Sequence, residues 1–268
     1  MTVQALAKPT FRFGPSFVRL RLHSSETTSP TTKLLRFQLS SPDAVSGLGL
    51  GASVLAAAWP EGCMAPVVRP YTPVSRVGER GYLELSVKKY PGGKMSTHLH
   101  SLSPGDTLLF PAGIPGYKWT ANKHEQVVLI AGGQGITPIF TLARGILENP
   151  QDKTKIHLIY GVRDESEILF RERFELWQRS YPGRFKISYV FSNPGPGSPF
   201  QRAKIDADVL ASLLSETTTS TSQQNIQVFV SGPPAMEKSL VGPKSWFGGS
   251  NGGTLRELGY ESSQVYKF

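Results

Sequence analysis

Val127-Val128-Leu129-Ile130-Ala131-Gly132-Gly133-Gln134-Gly135-Ile136-Thr137-Pro138 is the stretch on which the fold turns. Five apolar residues in unbroken succession predict a parallel strand covered on both faces. The glycines behind them predict a tight turn into a helix over Pro138–Glu148. Glycine lets backbone approach a ligand, and a helix start presents unbonded N–H groups that suit a phosphate. The alternation continues downstream with strand Ile156–Tyr160, helix Arg171–Arg179, strand Phe185–Phe191, helix Asp206–Leu214 and strand Ile226–Val230. That order predicts a doubly wound α/β half on a parallel sheet. The turn is not GxGxxG, because Pro138 replaces the last glycine, so taken alone it leaves a plain strand–helix turn open. Ser215–Gln224 is polar and of low complexity, and reads as a mobile surface loop.

Upstream the character is different. Residues 17–110 read as all-β, with short alternating runs at Leu34–Leu39, Leu83–Lys89 and Thr107–Phe110 separated by Gly, Pro and Ser. Such spacing predicts a small antiparallel barrel or sandwich. One helix is expected after Gly93, where Met95, Leu99 and Leu102 recur at helical spacing. Pro111–Gly116 followed by Lys118–Glu125 reads as a turn-rich connection, giving domains at 15–116 and 117–268.

Composition removes several classes of function. Among 268 residues, 39% are hydrophobic and 18% charged, which suits a folded chain. The lone Cys63 excludes an internal disulfide, and it excludes an iron–sulfur cluster held by this chain, which needs about four thiolates. Redox chemistry must therefore use an organic cofactor or pass electrons to another molecule. No apolar run approaches the roughly 18–20 residues needed to span a bilayer, so no transmembrane segment is expected. The net charge of +9 favours acidic partners. The basic residues are scattered and form no nucleic-acid-binding motif, so nucleic acid is not expected. His98 and His100 fall on different helix faces, which argues against a shared metal. No acid precedes Glu26, whereas Lys8, Arg12, Arg19 and Arg21 are basic, as in a mitochondrial presequence. Phe17–Leu22 alternates with period two, however, and reads as a first strand over 17–23. Only residues 1–14 are left as a candidate address, and the compartment, mitochondrial or cytoplasmic, stays open.

Three further segments could carry chemistry. Ser231-Gly232-Pro233-Pro234-Ala235-Met236 follows the last apolar strand, where ligands sit in open parallel sheets. Arg69-Pro70-Tyr71-Thr72-Pro73-Val74-Ser75 is stiffened by two prolines, and its arginine fork suits a diphosphate. Its tyrosine ring could lie against a flat heterocycle. Gly92-Gly93-Lys94-Met95-Ser96 opens a helix and forms another anion-binding turn. An edge strand with exposed side chains, or a tight turn, would also account for each segment alone.

RPYTPVS, GGKMS, GGQGITP and SGPPAM occur in the order and at the spacing of the cytochrome b5 reductase family, within the ferredoxin-reductase-like flavoproteins. The resemblance runs from about Phe17 to Phe268 and is strongest to the fungal mitochondrial type. It implies an N-terminal antiparallel β-barrel that binds FAD, followed by the α/β domain that binds NADH. By the same resemblance, Arg69 would pair with the FAD diphosphate beside Pro70, while Tyr71 and Thr72 would contact the isoalloxazine. Ser86, Lys88 and Tyr90 would lie beside the flavin. Gly92, Gly93, Lys94, Met95 and Ser96 would cradle the diphosphate through backbone N–H groups. Gly132, Gly133, Gln134, Gly135 and Pro138 would line the nicotinamide nucleotide site, with Gly232, Pro233 and Met236. Tyr71, Thr72, Thr137 and Ser231 would flank the hydride path, and Phe268 would close over the flavin ring.

The implied reaction is hydride transfer from NADH to flavin, then single electrons to a haem protein such as cytochrome b5, by a monomeric enzyme. In similar proteins an acid at the position of Glu167 accepts the adenosine ribose hydroxyls and repels a 2′-phosphate. Arg163 would do the reverse, and NADH is favoured over NADPH. Three departures stand out. The family usually has threonine where this chain has Gln134, and cysteine where it has Ser231. Fungal mitochondrial members also carry a membrane span near the N-terminus that this sequence lacks. These differences keep two alternatives open: a diverged paralogue reducing a small or quinone-like molecule, and a non-catalytic flavoprotein.

Overall fold

The structure, a computed structural model, describes residues 8–11, 14–218, 223–243 and 252–268. The expected address at 1–14 lies largely outside them. The chain divides into two compact units, Met1–Trp119 and Thr120–Phe268.

The first unit is an antiparallel sheet of β1 (Gly14–Ser29), β2 (Thr32–Gln38), β3 (Ser53–Ala58), β4 (Val67–Tyr71), β5 (Tyr82–Lys88) and β6 (Thr107–Ile114), with helix α1 at Lys94–Ser101. Its strand order is β4-β3-β6-β1-β2-β5. Just beyond β4, the Val74 N–H donates to the Glu84 carbonyl of β5 at 2.8 Å and brings the two ends of the sheet together as a barrel. Alternation does the sorting here. Leu20 and Leu22 of β1 point into the core with Phe37, Leu83, Leu85 and Phe110, while Arg19 and Arg21 are exposed. Met95 and Leu99 of α1 belong to the same core.

Two expectations for this unit need correction. Strand β3 was not foreseen, strand β4 takes up the edge-strand alternative left open for the Arg69 segment over Val67–Tyr71, and Pro111–Ile114, expected as connecting turn, continues β6. Proline is tolerated there for a reason visible in the register. Pairing with β1 slips between Pro15↔Ala112 and Val18↔Phe110, and pairing with β3 slips between Val54↔Gly113 and Ala57↔Leu109. Pro111 falls inside both irregularities, where no ladder N–H is required.

The second unit is a parallel sheet with order β11-β10-β7-β8-β9. Its elements are β7 (Gln126–Gly132), α2 (Ile136–Glu148), β8 (Lys155–Val162), α3 (Arg171–Ser180), β9 (Phe185–Phe191), α4 (Ala207–Thr218), β10 (Ile226–Ser231), α5 (Pro234–Val241), α6 (Thr254–Glu257) and β11 (Val265–Lys267). The expected loop at Ser215–Gln224 is helical through Thr218, and its residues 219–222 lie outside those described. Every residue of β7 is buried, as its unbroken apolar run requires. Val128 and Ile130 face Leu210 of α4, Leu240 of α5 and Leu255 of α6. On the opposite face, Phe140 of α2 stacks on Phe170 at 4.1 Å and on Trp177 of α3 at 5.3 Å. The chain steps from β7 outward to β9, then returns to β10 on the other side of β7. The β7–β10 boundary is therefore the topological switch point, outside whose carboxyl ends ligands bind in such sheets.

Candidate functional site

In the first unit, β4 presents Arg69, Pro70 and Tyr71 opposite Ala56, Leu55 and Val54 of β3. Arg69 is exposed, and its guanidinium donates to the Val68 carbonyl at 2.8 Å. Thr72 follows, its hydroxyl 2.9 Å from that of Ser53. Helix α1 packs beside β4, which brings the Gly92–Ser96 turn to the same side of the barrel. Ser86 and Lys88 lie on the face of β5 opposite its core residues Leu83, Leu85 and Val87, with Ser86 buried and Lys88 half-buried.

The tyrosine is electrostatically coupled to its neighbours. Burial pushes the Tyr71 phenol up to about 12, Arg69 opposes the rise, and Tyr90 adds to it. Burial likewise raises Tyr189 in the second unit to about 12. A free phenol ionises near about 10, so the folded state holds these protons more tightly than the unfolded chain. The stability they support is complete below about pH 10 and is lost as pH rises toward 12. Burial raises Tyr260 as well, so phenolate absorbance during alkaline titration should show three late-titrating tyrosines, with Tyr71 and Tyr189 ionising as the fold fails. Ordinary titration of every tyrosine near pH 10 with the fold intact would contradict this.

The Gly92–Ser96 turn has its own logic. Gly92 sits at φ +71° with open space where a Cβ would stand. Gly93 precedes α1, and the first helical bond runs from the Thr97 N–H to the Gly93 carbonyl at 2.9 Å. The N–H groups of Lys94, Met95 and Ser96 fall in the first turn, which has no intrahelical acceptor for them. The Ser96 hydroxyl donates to the Gly93 carbonyl at 3.1 Å and accepts the Tyr90 N–H at 3.2 Å, so it shapes the turn. Met95 contributes backbone only, since its side chain is core. A guanidinium, first-turn N–H groups, an exposed Lys94 and an open glycine form a donor set that fits a dinucleotide diphosphate.

In the second unit, the turns after β7 and β10 lie against one another. A Cβ on Gly135 would collide with the Ser231 backbone and stand 2.6 Å from the Gly232 nitrogen. One on Gly132 would stand 2.7 Å from Met236 Sδ and 2.8 Å from Pro233 Cδ, and one on Gly232 would strike Met236. Gly135 thus serves the close approach of two backbones, whereas Gly132 makes room for the Met236 and Pro233 side chains and Gly232 for that of Met236. Gly133 differs: its φ is +50° and a Cβ there would meet open space. Its carbonyl accepts the Tyr160 hydroxyl at 3.2 Å.

A cavity of about 550 Å³ opens at this end of the sheet, lined by Gly132, Gly133, Pro233 and Met236 and extending to Gly161, Arg163 and Lys204. The open glycine face and the mixed apolar and basic lining fit an adenine dinucleotide. The Thr137 hydroxyl donates to the Gln134 carbonyl at 3.2 Å, and Pro138 is buried in α2. Ser231 is buried at the end of β10. The next N–H, that of Gly232, donates to Glu237 at 3.3 Å, and Glu237 also pairs with Lys267 at 3.3 Å. Phe268 is fixed by its N–H to the Val230 carbonyl at 3.1 Å, and its ring lies against Phe229 and Tyr266. Glu167 lies in a 3₁₀ turn at Glu165–Glu167 and does not line the cavity. The sequence reading missed Ser192, Lys204 and Asp206, which do line it. They flank the Gly/Pro-rich stretch after β9, where no motif marks them.

His100 Nε2 lies 2.8 Å from the Val87 carbonyl, and burial lowers the pKa of this histidine. Among the described residues, no group of three His, Cys, Asp or Glu could hold a metal, and no helix is long and apolar enough to cross a membrane.

Comparison with known proteins agrees with both halves. Residues 19–117 match the oxidoreductase FAD-binding domain family, and residues 129–241 match the oxidoreductase NAD-binding domain family. A Pyricularia oryzae protein named NADH-cytochrome b5 reductase 2 is 43% identical over 265 residues, covering 97% of this chain and 78% of that one. The protein of the same name from Emericella nidulans is 44% identical over 254 residues, covering 94% and 78%. The solved cytochrome b5 reductase domain of Ulva prolifera nitrate reductase superposes with a TM-score of 0.80 at 27% identity, covering 97% of this chain and 100% of that one. With FAD- and NAD-binding folds in series and that identity across nearly its whole length, this chain belongs to the NADH–cytochrome b5 reductase family.

Proposed function

We propose that this chain oxidises NADH and passes the electrons through FAD, one at a time, to a haem protein of the cytochrome b5 type, acting as a monomer. The observation that carries the reading is the kinship, over nearly the whole of this chain, with reductases of that name, joined to diphosphate-fitting turns in both units. Residues 15–116 hold FAD and residues 117–268 hold NADH. When bound, FAD supplies the conversion between a two-electron hydride and one-electron transfer. Arg69 and the first turn of α1 bind the diphosphate; Pro70 stiffens the segment that aims Tyr71 and Thr72 at the isoalloxazine, with Ser86, Lys88 and Tyr90 beside it. Gly133 and the turn through Gln134 and Gly135 receive the nicotinamide nucleotide, with Thr137 and Ser231 at its reactive end and Phe268 at the carboxyl end of β10. No side chain has to donate a proton in the hydride step. The net charge of +9 favours an acidic acceptor.

Steady-state rates with NADH test the acceptor. Cytochrome b5 should be reduced, and the rate should fall as salt screens the encounter. Reduction of quinones but not cytochrome b5 would instead establish the small-molecule reading that Gln134 and Ser231 keep in view. Bound flavin with no turnover on either acceptor would establish a non-catalytic protein.

A further inference from the structure

We infer that Tyr160 is a positioning residue for the nucleotide: its buried hydroxyl holds the Gly133 peptide in the orientation that a dinucleotide's diphosphate needs. The inference rests on reading the second unit's cavity as the nucleotide site, and it names a residue outside the glycine turn on which that site depends.

The turn after β7 has little stiffness of its own. Three of the four residues in Gly132-Gly133-Gln134-Gly135 are glycine, the residue that loses most conformational freedom when it is fixed. Two of the three are held by their neighbours: Gly132 by the Met236 and Pro233 side chains, and Gly135 by the Ser231 backbone. Gly133 has a φ of +50° and no atom within 4 Å of where its Cβ would stand. Packing leaves it loose, so hydrogen bonds must fix it. Its carbonyl accepts the Ile136 N–H at the start of α2 and the Tyr160 hydroxyl at 3.2 Å.

Tyr160 reaches that carbonyl from the face of the sheet away from the cavity. On β8, Ile159 belongs to the apolar cluster under α4 and α5, and a Cβ on Gly161 would stand 2.9 Å from Ile205 Cδ1 in the cavity wall. Alternation sends the residue between them to the opposite face. There the Tyr160 ring lies 6.3 Å from those of Phe174 and Tyr189. The residue is fully buried and does not line the cavity, whereas Gly133 does. A buried phenol needs a partner for its hydroxyl, which phenylalanine at the same place would not.

The bond has an electrostatic consequence. A carbonyl oxygen carries partial negative charge, and turned into the cavity it would oppose a diphosphate. The peptide group is planar and trans, so with the Gly133 oxygen drawn toward Tyr160 the N–H of Gln134 points the opposite way. Anions at a helix start are met by N–H groups, not by carbonyls. Fixing the glycine before the ligand arrives also removes part of the ordering cost of binding.

Calorimetric titration of the FAD-loaded protein with ADP-ribose, which carries the diphosphate, and with adenosine, which lacks it, tests this without relying on turnover. Tyr160→Phe should weaken ADP-ribose binding about fivefold, the scale of one buried hydrogen bond, and leave adenosine within about twofold. Tyr189→Phe takes the hydroxyl from the adjoining ring and should leave both affinities unchanged. Each substitution keeps its ring and so keeps the packing. ADP-ribose binding to Tyr160→Phe as tightly as to the unmodified protein overturns the inference. So does an equal loss for both ligands, or the same loss in Tyr189→Phe, because either marks loosened packing and not a turned peptide. Failure of the unmodified protein to bind ADP-ribose overturns the nucleotide reading of the cavity, and this inference with it.

Discussion

Gly135→Val is expected to destabilise the second unit by about 3 kcal/mol or more and to abolish NADH binding, because the added atoms meet backbone that cannot yield. A side chain at this position would press into the Ser231 carbonyl group and the Gly232 nitrogen. Both belong to β10 and its turn, and β10 is paired residue by residue to β7 from Ile226↔Gln126 to Ser231↔Ala131. Relief would require breaking that ladder at the switch point. The neighbouring Gly133→Ala is the control. It has open space and bears only the cost of a left-handed φ of +50°, about 1–2 kcal/mol. Thermal unfolding followed by circular dichroism should rank Gly135→Val well below Gly133→Ala. Equal losses would mean that the two turns are not packed as described.

Arg69→Ala is expected to weaken FAD retention about a hundredfold, the scale of one or two charge-assisted hydrogen bonds to a diphosphate. The guanidinium is exposed, and the hydrogen bond found for it goes to the adjacent Val68 carbonyl, so removing it should leave the barrel's stability nearly untouched. Flavin content after gel filtration, set beside the melting temperature of the flavin-free protein, separates the two effects. A variant that keeps its full flavin complement would remove Arg69 from the site. One that loses flavin only because the barrel unfolds would make the residue structural.

Strong local signals were legible in the sequence. The run Val127–Ala131 reads as a buried strand because parallel sheets bury both faces, and the helices after it announce themselves by period. Strand β3 was hidden because Ser53–Ala58 ends in three alanines, which carry little strand preference. Strand β4 was legible only as an edge-strand alternative, because Pro70 is tolerated at the end of the sheet order but also suits an irregular extended segment. The extension of β6 through Pro111 depends on two register slips that no local rule predicts.

At the site, glycine spacing located both turns, and the structure adds a packing constraint on Gly135 from the Ser231 and Gly232 backbone and on Gly132 and Gly232 from the Met236 side chain. Strand order is invisible locally. The return of the chain to β10 beside β7 is what puts Gly132 next to Met236, and it is set by packing of the helices on both faces. The motifs did mark the Arg69–Thr72 and Gly92–Ser96 segments, because each needs an uncommon run of prolines or glycines.

Anaerobic titration of the purified yellow protein with NADH tests the central claim most directly. The flavin absorbance should bleach with one equivalent of NADH per flavin, and its colour should return when an oxidised one-electron acceptor is added. A flavin that stays oxidised in excess NADH, and in excess NADPH, would contradict the account.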